Sequence, residues 1–145
     1  MQNAKLEIRE GSWAVLGAEA SEIRRVVFIE EQRVPLEEEW DGRDGDCHHF
    51  LALLEGRPVG TARLLPDAHI GRVAVLAEAR GSGIGAALMH AAIDAAHRQG
   101  HPAVELAAQT HALAFYARLG FTAFGDEFLD AGIPHRNMHL PLAGR

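Results

Sequence analysis

The segment Arg72-Val73-Ala74-Val75-Leu76-Ala77-Glu78-Ala79-Arg80-Gly81-Ser82-Gly83-Ile84-Gly85-Ala86 constrains the fold more than any other part of the chain. It begins inside a run rich in β-branched residues, Ile70–Leu76, that reads as a strand. Alternate glycines then open a long helix, from about Gly83 to Gln99, with Ile84, Leu88, Ala91, Ala92 and Ala95 as its apolar stripe. A turn of this kind presents several N–H groups at the positive end of a helix dipole, which suits a pyrophosphate. Glycines let the backbone approach the anion without a Cβ in the way. Arg80 adds a cation at the rim. The competing reading is a glycine turn that only packs a helix on a strand.

The rest of the chain sets this unit in a larger sheet. Lys5–Glu10 alternates as a strand, and Ala18–Gln32 reads as a helix with Ile23, Val26 and Val27 on one side. Phe50–Glu55 and Val59–Leu65 are strands joined by a hairpin at Glu55-Gly56-Arg57-Pro58. Val104–Ala107 is a short strand, and Thr110 is the expected N-cap of a helix over His111–Leu119. Phe121–Phe128 and Arg136–Leu140 close the chain as a strand pair around Asp130–Pro134. The order β-α-β-β-β-α-β-α-β-β over 145 residues predicts one domain spanning 1–145. Its class is α/β (α+β), with a sheet of about seven strands covered by helices on both faces.

Several functions are excluded or disfavoured. Gly81-x-Gly83-x-x-Ala86 fits the dinucleotide fingerprint, with Glu105 as a ribose acid, but the spacer Leu76–Arg80 separates strand from glycine. No Gly-Lys-Ser/Thr follows, so a nucleotide-triphosphatase phosphate loop is ruled out. Fourteen basic against 20 acidic residues leave a net charge of −6, which argues against a nucleic-acid partner. The longest apolar runs, such as Phe50–Leu54, are too short to span a membrane, and the N-terminal residues lack the apolar stretch of a signal peptide. Cys47 is the one cysteine, which points to a reducing, cytoplasmic location. The nine histidines carry no zinc spacing, and the Asp44, Asp46, His48, His49 cluster is not an EF-hand loop, so no metal is expected.

Two stretches carry a family resemblance. Arg80-Gly81-Ser82-Gly83-Ile84-Gly85 resembles the R/Q-x-x-G-x-G/A motif of the GNAT (Gcn5-related N-acetyltransferase) superfamily. Ala112-Leu113-Ala114-Phe115-Tyr116-Ala117-Arg118-Leu119-Gly120-Phe121 resembles that family's A-x-x-F-Y-x-x-x-G-F signature. Val27–Pro35, Asp41, His48-His49-Phe50 and Gly132-Ile133-Pro134-His135 with Met138 are similar to its ElaA-like branch.

The resemblance implies the GNAT acyl-CoA N-acyltransferase fold, with a mixed central sheet. It implies acetyl-CoA as co-substrate and a small-molecule or peptide amine as acceptor, and it allows a homodimer. Main-chain groups of Val73, Ala74 and Val75 would hold the pantetheine arm. The amides of Gly81, Ser82, Gly83, Ile84, Gly85 and Ala86, with Arg80, would hold the pyrophosphate. Val75 or Leu76 would donate to the oxyanion, and Tyr116 would protonate the leaving thiolate. Gln109 stands where many family members have an asparagine on the pantetheine. His69 is the expected general base, with Glu30, Glu31, His48, His49 and Glu105 as rivals. Arg24, Arg25, Gln32, Arg63, Arg72 and His135 would surround the acceptor cleft, and the acidic run Glu37–Asp46 could favour a cationic amine. A non-catalytic acyl-CoA-binding module is the alternative.

Overall fold

Phe50 and Ala52 alternate with Leu51 and Leu53 in the strand His48–Leu54, and all four are buried. Side chains of successive strand residues point to opposite faces, so a strand buried on both faces must be covered on both. The computed structural model, which describes residues 5–142, shows how. Strands β1 (Leu6–Gly11), β2 (His48–Leu54), β3 (Arg57–Leu64) and β4 (Ile70–Val75) form an antiparallel sheet in sequence order. Helix α1 (Trp13–Arg24) packs Leu16 and Ile23 against Leu51 and Leu53. Between β4 and the next strand runs α3 (Ile84–Arg98), preceded in the chain by the one-turn helix α2 (Leu36–Glu39). Helix α3 packs Ile84, Leu88, Met89 and Ala92 with Phe50 and Ala52 on the other face.

The second sheet is antiparallel in the order β5 (Ala103–Gln109), β7 (Ile133–Pro141), β6 (Thr122–Asp130). Val104, Leu106 and Ala108 carry the α3 core into it, and α4 (Leu113–Arg118) links β5 to β6. The seven strands and the helices on both faces agree with expectation. The sheet is divided, however. Its halves meet at one parallel bridge, His69 to Glu105, beside a hydrogen bond from the Glu105 amide to the Ala68 carbonyl (3.2 Å). Beyond that bridge β4 and β5 part.

Local differences from the sequence reading have physical causes. Helix α1 starts at Trp13 rather than near Ala18, and Gly17 lies inside it as a packing residue. A Cβ there would lie 2.9 Å from the Trp13 ring. The expected helix over Ala18–Gln32 also changes pitch: Arg25–Glu31 is π-helical, and the Gln32 amide bonds back five residues to Val27 (3.1 Å). Thr110 caps nothing. It opens a 3₁₀ turn, and α4 begins after Ala112 without a side-chain cap. The final hairpin is tighter than expected, with Ala131 and Gly132 at φ 53° and 75°. Two positive φ values suit the right-handed twist of its strands. The stretch Glu37–Asp46, read as loop, holds α2 and a 3₁₀ turn at Asp44–Asp46.

Candidate functional site

A cleft of about 1260 Å³ opens where β4 and β5 part, larger than the usual small-ligand pocket. Every residue expected to bind the cofactor lines it except Ser82, and so do Tyr116 and His69. Ala74 takes part through its backbone, since its side chain is buried with the α1 core.

At one end stands the glycine turn. Gly81 and Gly83 adopt φ of 81° and 80°, and a Cβ on either would meet nothing within 4 Å. These two glycines are therefore there for backbone conformation, not for close packing. Gly85 differs: its Cβ position is 3.4 Å from Phe115, so it seats α4 against α3. Gly83 caps α3 without any side-chain hydrogen bond, and the first helical bond runs from Ala87 to Gly83 (3.0 Å). The amides of Ile84, Gly85 and Ala86 therefore have no partner within the helix.

The wall of β4 is irregular. Its pairing with β3 shifts between Thr61 and Arg63, opposite Arg72, which takes a left-handed φ of 50°. Leu76 donates its amide to Val59 (2.8 Å), so of the two expected oxyanion donors Leu76 is spent. The polar groups of Val75 face the other way, toward the cleft, as alternation in an antiparallel ladder requires. The Val75 carbonyl accepts from Arg80 Nε (2.9 Å). The Arg80 guanidinium also forms a two-point pair with Glu31 at the end of the π-helical turn (2.6 and 2.7 Å). That pair pushes the guanidinium up in pKa and the carboxyl down. Next to Glu31, Gln32 reaches the opposite wall. Its Oε1 accepts from Gln109 Nε2 (2.9 Å), and Gln109 Oε1 lies 2.6 Å from His111 Nε2.

Tyr116 projects from α4, edge-on to Phe115 and Phe121 with centroids 5.0 and 6.1 Å away. Its hydroxyl has no hydrogen-bond partner among the described residues, and burial pushes the phenol up to about 12. The group therefore holds its proton at neutral pH and can donate it. His69 sits at the point of the splay, half exposed, with Nδ1 3.1 Å from Asp67 and Nε2 3.7 Å from Glu105.

The polar residues expected around the acceptor divide. Arg24 is fully buried. It donates to Glu39 (2.7 Å) and Asp44 (2.7 Å) and lies over the rings of Trp13 and Trp40. Arg63 donates to Asp41 (2.5 Å) and Asp44 (3.0 Å), and Arg72 to the carbonyls of Glu38 and Glu39. Hydrogen bonds from Arg63 hold the Asp41 carboxyl below its usual range. Burial would raise Asp44, but Arg24 and Arg63 overcome it and hold that carboxyl low as well. Half of the acidic run, Glu39, Asp41 and Asp44, is thus neutralised inside the protein, while Glu37, Glu38 and Asp46 stay exposed. Arg25 points to solvent and pairs with Glu22 and Glu30. His48 pairs with Glu10, and His49 is buried against Trp13 with its pKa lowered by burial. Cys47 is buried, donates to the Arg43 carbonyl and has its thiol pKa raised by burial, which disfavours the reactive thiolate. No group of side chains suited to hold a metal occurs among the described residues.

The Trp13–Arg24–Trp40 stack and the Glu31 and Gln32 bridges were not assigned from sequence. The partners lie 11 to 77 residues apart, beyond any local spacing. The match over Val27–Pro35 was the one signal near them.

A family model described as an acetyltransferase (GNAT) domain matches residues 19–142. The uncharacterized N-acetyltransferase YjcF of Bacillus subtilis is 38% identical over 120 residues, which cover 80% of this chain and 86% of that protein. An acyl-CoA N-acyltransferase from Pseudomonas aeruginosa superposes with a TM-score of 0.82 at 36% identity, covering 94% of this chain and 99% of that one. Escherichia coli ElaA gives a TM-score of 0.82 at 29% identity over the same shares. Two antiparallel sheets parted around an uncapped glycine turn, the Phe-Tyr helix and these matches agree: the chain belongs to the GNAT acetyltransferase family and is similar within it to ElaA.

Proposed function

We propose that the protein transfers the acetyl group of acetyl-CoA to a primary amine of a small molecule or peptide, by direct attack within a ternary complex. The observation that carries this reading is the row of unpartnered amides at Ile84, Gly85 and Ala86, opening into the same cleft as the protonated Tyr116. An anion of pyrophosphate type satisfies those donors and the dipole of a 15-residue helix together. The pantetheine arm then runs along Val73 and Val75, with Gln109 turning from Gln32 toward it and Arg80 turning from Glu31 toward the pyrophosphate. The thioester oxygen is held by the amide of Val75, which faces the cleft. Tyr116 gives its proton to the departing sulfur. The ammonium must also lose a proton, and the sequence expectation for its acceptor is His69. A single, buried cysteine suits the reducing cytoplasm. No helix among the described residues is long and apolar enough to cross a membrane.

Calorimetric titration with CoA and with NAD tests the cofactor assignment. Wild type is expected to take CoA and not NAD. Gly83→Val adds a side chain at a left-handed position beside the open amides and should abolish measurable CoA binding. Unchanged affinity in a folded Gly83→Val protein would sink the assignment. Thiol release from acetyl-CoA in the presence of lysine, spermidine or phenethylamine tests the transfer.

A further inference from the structure

His135 lies in the middle strand of the second sheet, opposite Gln109 of β5 and Phe128 of β6. Residues directly opposite in antiparallel pairs share a face, so the three side chains stand together. The imidazole stacks on Phe128 with centroids 5.8 Å apart and planes 22° from parallel, and the residue is 8% exposed. Its Nδ1 is 2.6 Å from the Ile133 carbonyl oxygen. A carbonyl can only accept, so Nδ1 carries the hydrogen and the neutral ring keeps its lone pair on Nε2. Nε2 has no hydrogen-bond partner among the described residues and is not sealed from solvent, and His135 lines the same cleft as Tyr116.

The other histidines of the cleft are used differently. His69 has both ring nitrogens turned to carboxylates, Asp67 and Glu105. His111 is exposed and places its Nε2 on Gln109. His135 alone among the three combines burial, a fixed tautomer and an unengaged Nε2.

We infer that Nε2 of His135, not His69, takes the proton from the incoming ammonium; this rests on the acetyl-transfer reading above. The amine enters as R–NH₃⁺ and one proton passes to Nε2. The neutral nitrogen attacks the thioester carbonyl carbon. The C–S bond breaks, sulfur keeps the electron pair, and Tyr116 supplies its phenolic proton to that sulfur. The second proton lost from nitrogen restores the phenol, and the imidazolium releases its proton to solvent. The products are the amide, the CoA thiol and one proton. No carboxylate or guanidinium among the described residues pairs with the His135 ring. Gln109 faces it from β5 and Phe128 from β6, and Tyr116, His111, Asp130 and the Arg80-bound Glu31 are among the titratable groups of the same cleft.

The test compares His135→Gln with wild type, using acetyl-CoA and two nucleophiles: the best acceptor among lysine, spermidine and phenethylamine, and hydroxylamine. Hydroxylamine is uncharged at neutral pH and needs no base. The variant should lose about 10²–10⁴-fold in kcat/KM with the alkylamine and only a few-fold with hydroxylamine. Its alkylamine rate should climb tenfold per pH unit toward the amine's own value of about 10.4, where wild type is flat. CoA affinity by calorimetry should be unchanged. His135→Asn serves if the glutamine variant does not fold. Equal losses with both nucleophiles, an unaltered pH profile, or selective loss of alkylamine transfer in His69→Gln instead would overturn the assignment to His135. Wild type that binds CoA yet acetylates no amine would overturn the acetyl-transfer reading, and this inference with it.

Discussion

At the head of α3, three amides have no partner within the helix and the Val75 amide is turned to the cleft. Around Arg24, by contrast, the buried cations and carboxylates meet one another: Arg24, Arg63 and Arg72 with Glu39, Asp41 and Asp44. Both regions border the same cleft and both are rich in polar groups. Amides at a helix start that open into a cleft are met by water until a ligand replaces it, and an anion suits them best. The charge network is satisfied within itself except at Arg63 Nε and Arg72 Nε, and it fixes the shape of the wall. Of the six carboxylates in the acidic run Glu37–Asp46, three (Glu39, Asp41 and Asp44) are spent on buried arginines, and three (Glu37, Glu38 and Asp46) stay exposed.

The largest effect on the open side should come from Tyr116→Phe. The ring is kept, so packing against Phe115 and Phe121 survives, and thiolate protonation is lost. Turnover should fall by about 10²–10⁴-fold, toward the lower end because a thiolate of pKa about 8.5 leaves tolerably unaided. CoA affinity and melting temperature should be nearly unchanged. Full turnover with a lowered melting temperature would make Tyr116 a packing residue.

The closed side should respond in stability rather than rate. Asp44→Ala takes one carboxylate partner from each of Arg24, which keeps Glu39, and Arg63, which keeps Asp41, at a cost of up to about 3–5 kcal/mol. Acid should act in the same direction. Asp41 and Asp44 titrate lower in the folded protein than unfolded. Their contribution is therefore complete above about pH 4 and is lost as pH falls through the depressed folded values. Thermal melts between pH 2 and pH 7 check both, and Asp44→Ala should show a shallower acid loss than wild type. Equal stability of the variant at pH 7 would mean the network is not what holds this wall.

The smallest effect sits between the two regions. Glu31 and Arg80 form an exposed pair, worth less than about 1 kcal/mol. Glu31→Gln frees the guanidinium for a phosphate, so CoA affinity should rise a few-fold at low salt and the gain should shrink as salt is added. A fall in affinity, read by calorimetry at two ionic strengths, would show that Glu31 presents Arg80 to the cofactor rather than competing for it.

The legibility of these regions in the sequence follows from the same contrast. The glycine turn was readable because left-handed φ at positions 81 and 83 admits almost no other residue, and because the helix after it keeps strict apolar periodicity to Arg98. Tyr116 came with a local signature. The charge network has no such signature: Arg24 and Glu39 are 15 residues apart, and Arg63 and Asp41 22 apart. Each reads alone as an ordinary surface residue. The wide turn at Arg25–Glu31 was invisible because Ile23, Val26 and Val27 satisfy an α-helical pattern equally well. The start of α1 carries no local signature either: Gly17 sits inside its first turns, packed against the Trp13 ring.

That wide turn also makes the cleft sensitive to chain length in a way that side-chain chemistry does not reveal. An α-helix advances about 100° per residue. Removing one residue from Arg25–Glu31 with the wide pitch kept would swing everything after it around the axis by somewhat less than that angle, because each residue of an i→i+5 turn rotates less. Glu31 and Gln32, which now reach opposite walls of the cleft, would lose Arg80 and Gln109 together. The segment therefore works as a spacer whose residue count is as much a part of the site as any of its side chains.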